Sequence, residues 1–258
     1  MNELNLCLIQ TQLHWQDKNA NFHHFESIIR HIHNADLILL PEMFTTGFSM
    51  EVDRLWDEPE GHTLQWMRNM ASQADAAVCG SVIVKENDAF FNRLYFVRPD
   101  GLYHTYDKRH LFTLAGEEKV FSAGTERLVL EYRGWKIMPL ICYDLRFPVW
   151  CRNTEEVDLQ LFVANWPERR AMPWSSLLKA RAIENMCYVA GLNRVGPDGN
   201  EVAHSGNSAV YDELGHEILT LTPSQQDVES ISLDRDKMLK SRQRFQFLND
   251  RDSFELTD

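Results

Sequence analysis

An α/β fold class is predicted for this chain of 258 residues by three features of its sequence. Short, uniformly apolar runs alternate with stretches whose apolar residues recur at the helical period, the pattern of strands covered on both faces. Several of those runs stop abruptly at a polar or aromatic group, as where strands of an open sheet deliver side chains to a binding crevice. No Pro/Gly/Ser-rich linker, low-complexity tract or repeat divides the chain, so one domain over residues 1–258 is expected, with a charged arm from about residue 234.

Taken in order, residues 4–9 read as the first strand. Phe22, Phe25, Ile29 and Ile32 fall at the helical period and predict an amphipathic helix over about 19–33. The run Leu37-Ile38-Leu39-Leu40 is a strand that Pro41 ends, because proline cannot donate to the ladder. Glu42 is thereby delivered to a strand end. A helix over 63–73 turns Leu64, Met67 and Met70 inward and leads into strands at 77–84 and 91–97. The turn Arg98-Pro99-Asp100-Gly101 reverses the chain into 102–106, which gives way to Asp107-Lys108-Arg109-His110. After the turn Arg133-Gly134, a strand over 135–141 delivers Cys142, and a strand over 159–164 delivers Asn165-Trp166-Pro167. A helix over 173–185 precedes strands at 188–192, 207–211, 216–221 and 227–233. The tail reads as a charged helix with a frayed acidic end at 250–258.

The formal net charge of -12 argues against nucleic acid, whose phosphates demand a basic footprint, and against polybasic attachment to acidic membranes. No apolar run is long enough to span a bilayer and the amino terminus carries no basic-then-apolar leader, so a cytoplasmic location and small-molecule or protein partners are expected. Five cysteines, odd in number and widely spaced, read as reduced thiols rather than a disulfide framework or zinc site. Cys7, Cys79 and Cys187 lie in apolar runs, where cysteine is commonly a small buried hydrophobe, and Cys151 reads as packing in a short helix. His23, His24, His31 and His33 fall mostly on the polar side of the first helix, so no metal is expected there. The segment Gly196-Pro197-Asp198-Gly199-Asn200 has turn chemistry without the features of a phosphate cradle, and ATP is not implied.

Cys142 differs from the other cysteines. It ends a buried strand and is followed at once by Tyr143-Asp144-Leu145-Arg146, which places its thiol like a nucleophile. Brought together, a carboxylate, an amine and a thiol can hydrolyse an amide: Glu42 would act as general base, Lys108 would stabilise thiolate and oxyanion, and the Tyr143 N–H would be a second oxyanion donor. Spacing alone does not make them meet. Glu42 equally fits a solvated loop carboxylate, and Lys108 a surface cation in Lys108-Arg109-His110.

Four ordered segments closely resemble the nitrilase, or carbon–nitrogen hydrolase, superfamily. They are Leu39-Leu40-Pro41-Glu42-Met43-Phe44, Tyr106-Asp107-Lys108-Arg109-His110-Leu111-Phe112, Ile141-Cys142-Tyr143-Asp144-Leu145-Arg146-Phe147-Pro148 and Lys179-Ala180-Arg181-Ala182-Ile183-Glu184-Asn185. The resemblance implies a four-layer αββα sandwich, a Glu42-Lys108-Cys142 triad and no metal or organic cofactor. It also implies another active-site glutamate between Lys108 and Cys142, for which Glu117 fits and the adjacent Glu118 competes. Dimers are common in that family, and the helix over 174–185 with the carboxyl-terminal arm would be the contact.

Within the superfamily, 41–48, 142–148 and 163–167 are similar to the bacterial ω-amidase branch, whose members cleave the terminal amide of α-keto acids such as 2-oxoglutaramate and 2-oxosuccinamate. Arg146 is then the candidate clamp for the substrate carboxylate, unless it pairs with Asp144 or another nearby acid. Trp166, or Asn165 beside it, corresponds to the pocket wall, with Phe48 and Met172 as further lining. Three alternatives stand beside this reading: another amidase or carbamoyl hydrolase of the same superfamily, a Cys-His peptidase or acyltransferase using His110 or His204, and a non-catalytic metabolite-binding protein.

Overall fold

The computed structural model describes residues 2–256. Its first half builds β1 (Glu3–Gln10), α1 (Lys18–Ile29), β2 (Leu37–Leu39), α2 (Val52–Leu55), α3 (His62–Ala74), β3 (Ala77–Glu86), β4 (Ala89–Val97) and β5 (Tyr103–Asp107). The second half builds β6 (Leu130–Tyr132), β7 (Trp135–Ile141), β8 (Leu159–Ala164), α4 (Ala171–Asn185), β9 (Tyr188–Asn193), β10 (Val195–Pro197), β11 (Ala203–Ser205), β12 (Ala209–Tyr211), β13 (Glu217–Thr220), β14 (Asp227–Asp234) and α5 (Arg235–Phe245).

These strands form two six-stranded sheets, β14-β1-β2-β3-β4-β5 and β13-β12-β9-β8-β7-β6. The period-2 alternation of β1 explains how they stack. Leu4, Leu6 and Leu8 join the core shared with Ile137, Leu140, Leu159 and Leu161 of the other sheet, while Cys7 and Ile9 face Phe22, Phe25 and Met67 of α1 and α3. Helix α4 covers the second sheet, with Trp174, Leu178 and Ala182 in the inter-sheet cluster's continuation. The order of layers is therefore helix, sheet, sheet, helix, the αββα sandwich.

Parallel pairing of β1 with β2 and β3, and of β7 with β8 and β9, puts their carboxyl ends on one side of each sheet. That is where Glu42, Cys142 and Asn165 follow their strands. Lys108 arrives by a different route: β4 and β5 are antiparallel, and the Lys108 N–H extends their ladder to the Asn92 carbonyl at 3.0 Å.

Several local expectations are corrected. The first helix ends at Ile29, so Ile32, His31 and His33 lie in the loop that turns through Asn34 at φ +60°. Cys151 sits in a turn rather than a short helix, with its thiol donating to the Asp144 carbonyl at 3.1 Å. The strand expected from 207 starts only at Ala209, since Asn207 is left-handed at φ +56°. Of the segment 196–200, Gly196 and Pro197 end β10 and pair with β11, while Asp198 to Asn200 open the hairpin turn, where Asp198 Oδ1 accepts the N–H groups of Asn200 and Val202. Of the acidic end expected at 250–258, residues 257 and 258 lie outside the described residues. No helix among the described residues is long and apolar enough to cross a membrane.

Gly124 fixes the segment bearing Lys108. Its N–H donates to the Lys108 carbonyl at 2.9 Å, and a Cβ there would lie 2.2 Å from the Asp107 carbonyl oxygen. Because that neighbour is backbone, Gly124→Ala is expected to displace the Asp107-Lys108 segment and destabilise the fold by about 1–3 kcal/mol. A urea unfolding midpoint unchanged from wild type would refute this.

Candidate active site

Strand β7 turns sharply at Cys142, which takes φ +44°, a strained value for a non-glycine residue, and opens a short 3-10 helix, Cys142–Arg146. The Tyr143 N–H lies in the first turn of that helix, where backbone donors have no partner within the helix. Asp144 secures the turn. Its buried carboxylate accepts from Ile141 N at 3.0 Å, Tyr106 Oη at 2.7 Å, and His110 N and Nδ1 at 3.0 and 2.9 Å. One acid thus ties the nucleophile's turn to the segment bearing Lys108. Asp144 does not pair with Arg146.

Lys108, Glu42 and Glu117 meet beneath Cys142 with almost no exposure to solvent. Lys108 Nζ donates to Glu42 Oε1 at 2.8 Å and to both oxygens of Glu117 at 3.0 Å. The second oxygen of Glu42 accepts the Asn165 N–H at 2.8 Å, and Glu117 Oε2 accepts the Phe112 N–H at 2.6 Å. Glu118 faces solvent, so the two neighbouring glutamates are placed apart. Every charged oxygen is engaged, which is what makes burial of these groups tolerable.

The electrostatics follow from that burial. Desolvation raises the Cys142 thiol well above its ordinary value, Glu42 raises it further by charge and a hydrogen bond, and Lys108 opposes them. Burial alone would lower Lys108, but Glu117 and Glu42 outweigh it and hold the side chain as an ammonium. Burial likewise raises the Glu117 carboxyl, with Lys108 pulling it back and Glu42 raising it again. The resting site therefore holds a protonated thiol against a carboxylate base and a fixed cation. Such a site can move a proton as the sulfur attacks, then stabilise negative charge on an oxygen.

Above it opens a cavity of about 570 Å³ with Lys108 and Cys142 in its wall. Tyr143, Arg146, Asn165 and Trp166 all line it, as does Phe48, whose ring centre is 5.2 Å from Lys108 Nζ. Asn165 does more than line the wall, because its side-chain amide also donates to the Glu42 carbonyl. Met172 does not contribute; it projects into solvent from the first turn of α4, 74% exposed. Neither histidine of the Cys-His alternative partners the thiol. His110 is held by Asp144 and stacked on Phe147 at 3.7 Å. His204 lines the cavity but is bonded to the Gly196 carbonyl at 3.2 Å and pushed down by burial to about 4.

Two participants escaped the sequence reading. Asn92 lies inside the apolar run of β4, yet its buried amide donates to Glu42 Oε1 at 2.8 Å and reaches Glu117 Oε1 at 3.4 Å. An amide breaking the run between Phe90-Phe91 and Leu94-Tyr95-Phe96 was the available signal, obscured by the charged Arg93 beside it. Arg170 lines the cavity from the Glu168–Arg170 turn, whose charges look solvated in sequence. Since a hydrogen bond to a charged group is worth about 1.5–3 kcal/mol, Asn92→Ala is expected to lower kcat by about ten- to a hundredfold. A kcat within a factor of about two of wild type would remove Asn92 from the network.

The carbon-nitrogen hydrolase family model matches residues 6–243. The chain is 46% identical to omega-amidase YafV of Yersinia enterocolitica, covering 98% of this chain and 99% of that protein. It is 40% identical to the 2-oxoglutaramate amidase of Bacillus subtilis over 70% of this chain and 72% of that one. Among solved structures it is similar to XC1258 from Xanthomonas campestris, described as a CN-hydrolase superfamily protein with an arsenic adduct in the active site. That similarity has a TM-score of 0.97 and 43% identity, with all of both chains covered.

Proposed function

This chain belongs to the carbon–nitrogen hydrolase family, and from that premise we propose that it is an ω-amidase cleaving the terminal amide of small α-keto acids to a dicarboxylate and ammonia. The preferred substrates are 2-oxoglutaramate and 2-oxosuccinamate. The observation that supports the reading is Glu42, Lys108 and Cys142 lying together beside a cavity that Lys108 and Cys142 line, in a chain whose relatives bear ω-amidase and 2-oxoglutaramate amidase names.

In this mechanism Glu42 takes the Cys142 proton as the sulfur attacks the amide carbon. Lys108 and the Tyr143 N–H hold the resulting oxyanion. Glu42 returns the proton to the nitrogen, the C–N bond breaks, and ammonia leaves an acyl-thioester on Cys142. Water then gives a proton to Glu42 and attacks the thioester, and the C–S bond breaks as the thiol is reprotonated. Glu117 keeps Lys108 charged and positioned throughout. No cofactor enters these steps. The protein acts in the cytoplasm as one domain and as a homodimer, for which light scattering after size exclusion is the check, a monomer removing that last claim.

The direct test is ammonia release from 2-oxoglutaramate, 2-oxosuccinamate, glutamine and a simple nitrile. The keto amides should be turned over fastest. Equal rates on glutamine would defeat the ω-amidase reading and leave a broader amidase.

A further inference from the structure

Near the thiol, the cavity carries positive charge without a counter-ion. Arg146 and Arg170 both line it beside Cys142. The Arg146 guanidinium lies over the Trp166 ring, 4.9 Å from its centre, and that of Arg170 lies over Phe112 at 5.0 Å. Each is held against an aromatic face, which leaves its N–H edge available to a ligand. The ring under Arg146 is tied to Arg170 itself, because Trp166 Nε1 donates to the Arg170 carbonyl at 2.7 Å.

Several buried or half-buried arginines elsewhere in the fold have acids: Arg93 pairs with Asp107 and Glu86, Arg181 with Glu184, Arg235 with Asp158. Among the described residues Arg146 and Arg170 have no ion pair and no side-chain hydrogen bond. The acids in the same wall are occupied elsewhere. Glu51 faces Arg54 at 3.7 Å, and Asp198 closes the β10–β11 turn. Arg170 also feels its crowding: burial, then Arg169, lowers its pKa, and Arg146 acts in the same sense against Cys142.

The geometry points to Arg146 and Arg170 as a paired cationic subsite for the end of the substrate remote from the scissile amide, with Arg170 a specificity-determining residue. The pair accepts a carboxylate beside an uncharged keto carbon and rejects the same skeleton bearing an α-ammonium group. A guanidinium binds a carboxylate through two parallel N–H bonds, and a keto oxygen offers an acceptor to the second guanidinium. An ammonium has only donors, so it can bond to neither arginine and is repelled by both. Selection between a keto amide and glutamine then comes from a repulsive element as well as an attractive one.

This inference rests on the ω-amidase reading for its ligand, so binding is measured apart from turnover. Cys142→Ala protein, alone and combined with Arg170→Gln or Arg170→Lys, is titrated calorimetrically with 2-oxoglutaramate and with glutamine, after thermal melts establish that each variant is folded. The keto amide should bind at least about tenfold tighter than glutamine, and Arg170→Gln should weaken it about tenfold or more, as expected for one lost charge-assisted bond. Glutamine should weaken far less, closing the gap, and Arg170→Lys should restore part of the preference. Equal weakening of both ligands, or an unchanged preference, overturns the assignment. If wild-type protein fails to hydrolyse 2-oxoglutaramate while binding still depends on Arg170, the activity reading falls and the subsite stands.

Discussion

Lys108→Ala is expected to remove activity and to weaken the fold together, which no other single change at the site should do. The ammonium is the shared partner of Glu42 and Glu117, 2.8 and 3.0 Å away. Deleting one member of a buried ionic group leaves the other uncompensated, at a cost of about 3–5 kcal/mol. Loss of the oxyanion donor lowers kcat by about a further hundred- to thousandfold. The pH dependence has a definite sign. Glu117 is already raised above its ordinary 4.5, and Lys108 is among the groups holding it down, so removing Lys108 raises it further. A carboxyl whose folded pKa exceeds its unfolded one stabilises the fold while protonated, fully below the unfolded value, and that contribution is lost as the pH rises through the folded one. The Tm deficit of Lys108→Ala against wild type should therefore be larger at alkaline than at acidic pH. A deficit that shrinks as pH rises would contradict the charge network.

Glu42→Gln separates chemistry from stability in the opposite way. The amide is isosteric, and its one oxygen can keep accepting from Lys108 and Asn92 at the cost of the Asn165 N–H bond, so the fold should survive with a modest loss of stability, but nothing remains to take the thiol proton. A general base is worth about 100- to 10,000-fold, and kcat should fall within that range. Because Glu42 raises the thiol pKa by charge and hydrogen bond, its neutralisation should make Cys142 easier to ionise. Iodoacetamide should then alkylate the variant at lower pH than wild type even though turnover has collapsed. Parallel loss of alkylation and turnover would mean that Glu42 does not face the sulfur as described.

The strand ends bearing these groups were legible because buried strands in this fold are apolar until they stop. The runs over 135–141 and 159–164 coincide with β7 and β8, and Pro41 marks where β2 gives out before Glu42. What period and composition cannot supply is the stacking of one sheet on another, which alone decides that Glu42 of the first lies against Cys142 of the second. Asn92 was hidden for the same reason: an amide next to a charged residue in a strand gains meaning only from the two carboxylates that other segments bring to it. Arg170 was hidden by its neighbours, since Glu168-Arg169-Arg170 carries the signature of a solvated turn. The β10–β11 hairpin was visible as a turn, but its strands are too short for alternation to register.

The central claim, that Cys142 carries the acyl group, is open to one direct measurement. Protein mixed rapidly with 2-oxoglutaramate and quenched in acid should show, by intact mass and peptide mapping, an adduct of the substrate less ammonia on Cys142 and on no other cysteine. Cys142→Ala should show neither adduct nor ammonia release. Wild-type turnover by Cys142→Ala, or an adduct on a different residue, would contradict the account.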